Sequence, residues 1–206
     1  MEEEHRHQCM IYEGPPSKQL AVIAAIIKRK LDSGYRCLFL NSPTMVAGMA
    51  STLAAMGLDV TLERETKRLI LSCETVPAGQ SFDPAQMLGM LEAVLDGAIA
   101  DGYKGLWASG DLTWEFGAGK DFSKLLEYEL GLEKLFKRRQ QLSGICQYHH
   151  DTLPKDVMRQ SLLVHPGIVI NETLRCINPH YLISLWPADG DTIHKLDASI
   201  AALRAM

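Results

Sequence analysis

Four short stretches carry the side chains with the richest chemistry in this chain. Tyr148-His149-His150-Asp151 is the densest titratable cluster, and a histidine beside an aspartate is the pairing used in general acid–base catalysis. No activated serine accompanies it, so a polar loop in which Asp151 opens a turn towards Pro154 is the plainer reading. His5, His7 and Cys9 alternate near the start. Alternate side chains of an extended chain share a face, and two imidazoles with a thiol suit a soft divalent ion such as zinc. Cys146, His149 and His150 offer a second such group. In a parallel sheet the two groups fall at opposite ends of their strands, so they are not expected to combine. The plainer reading leaves Cys9 a buried thiol behind a solvated terminus, with Cys146 pointing into the sheet.

Asp111, Thr113, Trp114 and Glu115 crowd the exit of a central strand. In a nucleotide hydrolase that exit holds the acidic residue that orients metal and water. A carboxylate beside an indole equally suits a small-molecule pocket, or simply a turn cap. The fourth stretch, Gly14-Pro15-Pro16-Ser17-Lys18, stands where a phosphate loop of the form G-x-x-x-x-G-K-[ST] would follow a first strand. Its second glycine is missing, no hydroxyl follows Lys18, and two prolines remove N–H donors. A turn leading into a helix, or a pocket for something smaller than a nucleotide, fits better than ATP hydrolysis.

These residues must be positioned by alternating strands and helices. Strands are predicted over Gln8–Glu13, Arg36–Asn41, Arg68–Cys73, Gly105–Ser109, Gly144–Tyr148 and Gly167–Ile170. Between them lie helical stripes: Leu20, Ile23, Ile27 and Leu31; Val46, Met49, Leu53 and Met56; and Met87, Leu91, Val94 and Ala98. Ser42-Pro43 and Asp83-Pro84 are cap-plus-proline starts. Further helices are expected over 122–137 and 155–163, and after Asp189-Gly190-Asp191. Such alternation specifies a three-layer α/β/α fold with a mainly parallel central sheet and ligands at the strands' carboxyl ends.

The chain has 206 residues, 47% hydrophobic and 22% charged, with 21 basic against 25 acidic side chains. That is the composition of a folded soluble protein and excludes disorder. A formal charge of −4 gives no overall attraction to nucleic acid or anionic membrane. The acidic opening is unlike a signal peptide, no apolar run spans a bilayer, and the five scattered cysteines read as reduced thiols, so a cytoplasmic protein is expected.

Six segments carry a family resemblance: His7-Gln-Cys9-Met-Ile-Tyr12-Glu13, Gly34-Tyr-Arg-Cys-Leu-Phe-Leu, Phe82-Asp83-Pro84, Gly110-Asp111-Leu112-Thr113-Trp114, Tyr128-Glu129, and Cys146-Gln-Tyr148 followed by Pro154 and His165-Pro166. Over about residues 5–172 they resemble the MEDS domain, the methanogen/methylotroph sensory domain of a dichloromethane-responsive repressor. The resemblance implies a RecA/KaiC-like fold lacking a functional phosphate loop. It also implies a non-catalytic sensor of small hydrocarbon derivatives, feeding histidine kinases or transcription regulators. By resemblance the ligand-binding set is His7, Cys9, Tyr12, Asp111, Thr113, Trp114 and Tyr148. The position after Tyr148, usually acidic in the family, is His149. We expect a sensory domain over 1–177 and an extension with an amphipathic helix over 178–206. No output unit is recognisable, so the signal would pass to a partner in trans or through a homodimer formed by the last helix. No catalytic residue, metal or cofactor is assigned. The ligand is expected at the carboxyl edge, touched by Tyr12, Asp111, Trp114 and Tyr148. The alternatives are a residual KaiC-like nucleotide site using Lys18 and Asp111, or a pure protein–protein interaction module.

Overall fold

The computed structural model describes residues 6–73, 82–112, 122–170, 175–181 and 190–204. Seven strands form one sheet among these residues: β1 (His7–Tyr12), β2 (Arg36–Leu40), β3 (Leu69–Ser72), β4 (Leu106–Asp111), β5 (Leu142–His149), β6 (Gly167–Val169) and β7 (Arg175–Ile177). Their order is β3-β2-β4-β5-β1-β6-β7. Every pairing is parallel except β6 with β7. Seven α-helices accompany them: α1 (Leu20–Asp32), α2 (Pro43–Ala55), α3 (Val60–Glu65), α4 (Pro84–Ala100), α5 (Leu125–Arg138), α6 (Lys155–Val164) and α7 (Gly190–Arg204).

The strands are apolar on both faces because both faces are covered. Met10, Cys37, Phe39, Trp107 and Ile145 pack under α1 and α2 in one core. Cys9, Ile11, Leu38, Cys146 and Tyr148 pack under α4, α5, α6 and α7 in the other. Side chains alternate across a strand, so the parity of a position decides which core it joins. The predicted three layers are therefore present. β1 and β2 send their following helices to one face, and β4 and β5 to the other. This places switch points between β1 and β5 and between β2 and β4.

The cap-plus-proline signals hold to the residue. Ser42 accepts from the Met45 N–H, Asp83 accepts from the Ala85 and Gln86 N–H groups, and Pro43 and Pro84 open α2 and α4. The first helix begins at Leu20, the first residue of its stripe, and Pro16–Gln19 forms a separate 3-10 turn ahead of it. Two elements were not expected. α3 is capped by Asp59, which accepts from the Leu62 N–H, and β7 closes the sheet as its antiparallel strand. The last helix is not an outward-facing stripe. Leu196 and Ile200 sink into the same core as α6, and Arg159 on α6 grips Asp197 at 2.8 and 2.7 Å. Its apolar face is thus spent on its own fold rather than left for a second copy. No helix among the described residues is long and apolar enough to cross a membrane.

Candidate functional site

The structure divides the expected ligand-binding residues between two places. At the carboxyl edge, the Tyr12 hydroxyl donates to Asp111 Oδ2 at 3.2 Å, and Asn41 Nδ2 donates to the same oxygen at 3.4 Å. Tyr12 stacks on His149, ring centroids 4.9 Å apart. His149 Nε2 donates to the Gly14 carbonyl at 2.8 Å, while its Nδ1 lies 3.0 Å from the Thr152 hydroxyl. Gly14, at φ +79°, gives its own N–H to Asp151 Oδ2 at 2.8 Å. Burial, then the charge and hydrogen bond of Asp111, push the Tyr12 phenol well above its ordinary pKa, so it stays a neutral donor. Asn41 stands at a strand exit, where ligands are expected, but was not among the expected ligand-binding residues. Thr113 and Trp114 lie outside the described residues.

His7, Cys9 and Tyr148 face the other core, with Tyr148 fully buried and turned away from Tyr12. The expectation of one contact surface holding both tyrosines is therefore revised. Tyr148 follows Gln147 on β5 and so has opposite parity to His149, the partner of Tyr12. The expectation that Cys146 stays apart from His7 also needs correction, while His5 lies outside the described residues. His7 pairs with Gly144 and Cys9 with Cys146, which places Cys146 just along the same face from His7. Cys146 Sγ lies 3.6 Å from His7 Nε2. His149 and His150 do sit at the far end of β5. Gly144 makes room for this arrangement, since a Cβ there would lie 2.3 Å from the Ala108 carbonyl oxygen and 3.4 Å from Phe136 Cζ. Phe136 instead stacks on His7 at 4.6 Å.

Two carboxylates and a second histidine complete this interior cluster. His7 Nδ1 is 2.9 Å from Glu133 Oε2, and His7 Nε2 is 3.4 Å from Glu129 Oε2. The Tyr148 hydroxyl donates to Glu129 Oε1 at 2.5 Å. His165 Nδ1 donates to the Ser161 carbonyl at 2.7 Å. Its Nε2 is 3.4 Å from Glu129 Oε2 yet makes no hydrogen bond among the described residues. Burial by itself lowers the His7 pKa, but hydrogen bonds and charges of Glu129 and Glu133 outweigh it and raise the imidazole above its usual range. Burial likewise opposes ionisation of Glu129, and the charges of His165 and His7 with hydrogen bonds from His7 and Tyr148 overcome it, leaving that carboxyl lowered. Burial and then the charge on His7 drive His165 down to about 4. The donor atoms of His7, Glu129, Cys146 and His165 all lie within 4.8 Å of one another, a grouping able to hold a metal ion. Glu129, Glu133 and His165 were not among the expected site residues. A signal was present: Glu129 and Glu133 stand one turn apart on the apolar stripe of α5, between Leu125, Leu132 and Phe136.

Two cavities adjoin this cluster. One, about 170 Å³, opens beside His7 and Glu133 between Arg6, Lys137 and Tyr181. The other, about 30 Å³, lies between the sheet and α4 and α5, walled by Leu38, Leu40, Leu91, Leu132 and Phe136, with Cys146 as a polar contact.

Residues 6–166 match the family described as MEthanogen/methylotroph, DcmR Sensory domain (MEDS). Among solved structures the chain is similar to a KaiC-like protein from the hyperthermophilic archaeon Pyrococcus horikoshii, at 13% identity and a TM-score of 0.55, over 80% of this chain and 70% of that one. It is also similar to an uncharacterised Pyrococcus horikoshii protein in complex with an unknown peptide, at 13% identity and a TM-score of 0.60, over 84% and 82% of the two chains. These likenesses show a KaiC-like fold. No curated protein matches the sequence.

Proposed function

Since this chain belongs to the MEDS sensory-domain family, we propose that it is a non-catalytic, cytoplasmic sensor of a small, largely apolar organic compound. The compound sits in the 30 Å³ cavity between the sheet and helices α4 and α5, and that cavity is the observation that carries the reading. A water needs roughly 10–15 Å³ of such space, so the void suits a molecule of a few heavy atoms. Its walls are aliphatic and aromatic, with Cys146 and Tyr128 bringing the polar groups, since the Ser109 hydroxyl is held by Ile145 and Gln147; this is the lining expected for a hydrocarbon derivative. Occupancy presses on α4 and α5, and the signal passes in trans to a histidine kinase or transcription regulator. The carboxyl-edge group of Tyr12 and Asp111, with Thr113 and Trp114, is the second place such a ligand would bind. The Gly14 N–H is already engaged by Asp151, which favours this reading over a nucleotide in the first loop.

A thermal-unfolding screen against one-carbon, halogenated and short-chain compounds, with ATP and GTP as comparisons, tests this. A ligand at about 100 times its Kd adds roughly 2.7 kcal/mol. For a chain of this size that raises Tm by about 5 to 10 °C. Leu91→Phe, which fills the cavity, is expected to abolish the shift, and Asp111→Asn to leave it. The reverse pattern, with loss in Trp114→Ala, moves the ligand to the carboxyl edge. A shift with nucleotide alone overturns the proposal, and no shift from any compound favours an interaction module.

A further inference from the structure

We propose that His7, Glu129, Cys146 and His165 form a closed four-coordinate site for one divalent transition-metal ion of the zinc class. The site lies between β1, β5, α5 and the junction of α6 with β6. It stands independently of the hydrocarbon reading, which requires no metal.

The spacing of the donors is the first argument. Around a tetrahedral zinc ion with bonds of about 2.0–2.3 Å, neighbouring donor atoms lie roughly 3.3–3.8 Å apart. Here His7 Nε2 to Glu129 Oε2 is 3.4 Å, His165 Nε2 to Glu129 Oε2 is 3.4 Å, Cys146 Sγ to His7 Nε2 is 3.6 Å, and Cys146 Sγ to Glu129 Oε2 is 3.9 Å. The two remaining pairs, from His165 to His7 and to Cys146, lie within 4.8 Å, so the donors close on the ion by at most about 1 Å.

The second argument is what holds each ligand from behind. His7 is turned by Glu133 at Nδ1, His165 by the Ser161 carbonyl at Nδ1, and Glu129 by the Tyr148 hydroxyl at its other oxygen. Both imidazoles therefore present Nε2 inward, the orientation that such outer partners impose on metal-binding histidines. His165 Nε2, fully buried, has no hydrogen-bond partner among the described residues. An inward-aimed lone pair without a donor is what a ligand atom looks like before its ion.

The donor set also selects the ion. Two imidazoles, a thiolate and one carboxylate exclude calcium and magnesium, which take oxygen ligands, and suit zinc. The Cys146 thiolate and the Glu129 carboxylate together cancel a double positive charge, so the filled site is neutral where an uncompensated charge would be costly. Coordination sends the Cys146 thiol proton, and the proton that His7 Nε2 carries when its imidazole is charged, to solvent. The 170 Å³ cavity beside His7 and Glu133 reaches the cluster at His7. Cys9, although buried on the same face, contributes no donor atom to the group.

The full chain, stripped with chelator under reducing conditions and shown by circular dichroism to remain folded, would be titrated with Zn²⁺ and Co²⁺. One tightly held ion per chain is expected. The cobalt form should show the intense visible bands of four-coordinate Co²⁺ and a near-ultraviolet thiolate charge-transfer band, both erased by zinc. Cys146→Ser should remove the thiolate band, His165→Asn should weaken zinc at least tenfold, and Cys9→Ser should change neither. Tyr148→Phe, which only frees Glu129 to rotate, should weaken zinc by about 10–100-fold. X-ray absorption of the unmutated zinc form should find one sulfur and three nitrogen or oxygen neighbours, a readout that survives even if the variants misfold. A folded, stripped chain that takes up no stoichiometric ion overturns the proposal. So does a thiolate band that persists in Cys146→Ser and vanishes in Cys9→Ser.

Discussion

At the scale of single residues, the buried carboxylate of Asp111 has donors that it cannot lose cheaply. Asp111, nearly fully buried, relies on the hydroxyl of Tyr12 and the amide of Asn41. Tyr12→Phe removes the closer donor and is expected to destabilise by about 1.5–3 kcal/mol, the usual worth of a hydrogen bond to a charged group. Urea unfolding checks this, and an unchanged midpoint would show that the pair contributes nothing. Gly144 is constrained by space alone, because its missing Cβ would meet backbone oxygen, which cannot rotate aside. Gly144→Ala should cost at least the upper end of the 1–3 kcal/mol typical of overpacking. It should also spread β4 from β5, lowering Tm in a thermal melt.

At the scale of elements, the attachment of α7 illustrates how two modest forces combine. Leu196 is fully buried against the core, so Leu196→Ala is expected to cost about 2–5 kcal/mol. The Arg159–Asp197 pair is half-exposed and solvent-screened, so its own share is at most about 1 kcal/mol. Hydrogen bonds from Arg159 hold the Asp197 carboxyl below its ordinary value. A folded pKa below the unfolded one means the pair stabilises the docked helix at pH above roughly 4 and loses that stabilisation as pH falls through the folded value. Limited proteolysis around α7 should therefore accelerate in acid, and Asp197→Asn should flatten that dependence. Equal acid sensitivity in the variant would assign the effect to other carboxylates.

At the scale of the whole molecule, the sheet separates two chemistries. One face and edge hold Tyr12, Asp111 and His149, while the other core holds His7, Glu129, Cys146, Tyr148 and His165 beside an apolar cavity. That shared wall predicts coupling: Phe136 lines the cavity and stacks on His7. A compound entering the cavity should alter the cobalt spectrum of the metal-loaded chain. An unchanged spectrum on binding would mean that the cavity and the histidine cluster act separately.

The local pattern by itself determined the alternation of strands and helices and the starts of α2 and α4. Caps and periodicity are decided by neighbours within a turn or two. It also placed Tyr12 and Asp111 at strand exits, and the six family segments carried the family assignment. Only the tertiary structure decided that β7 runs antiparallel, that α7 is spent on its own core, and that Tyr148 turns away from Tyr12. It alone brought His7 to Cys146 across 139 positions, with Glu129 from α5 between them. Nothing local specifies such a meeting, because the register of two strands from opposite ends of the chain is set by which side chains fill the shared core. At Gly144 the absence of a side chain is what leaves that space open.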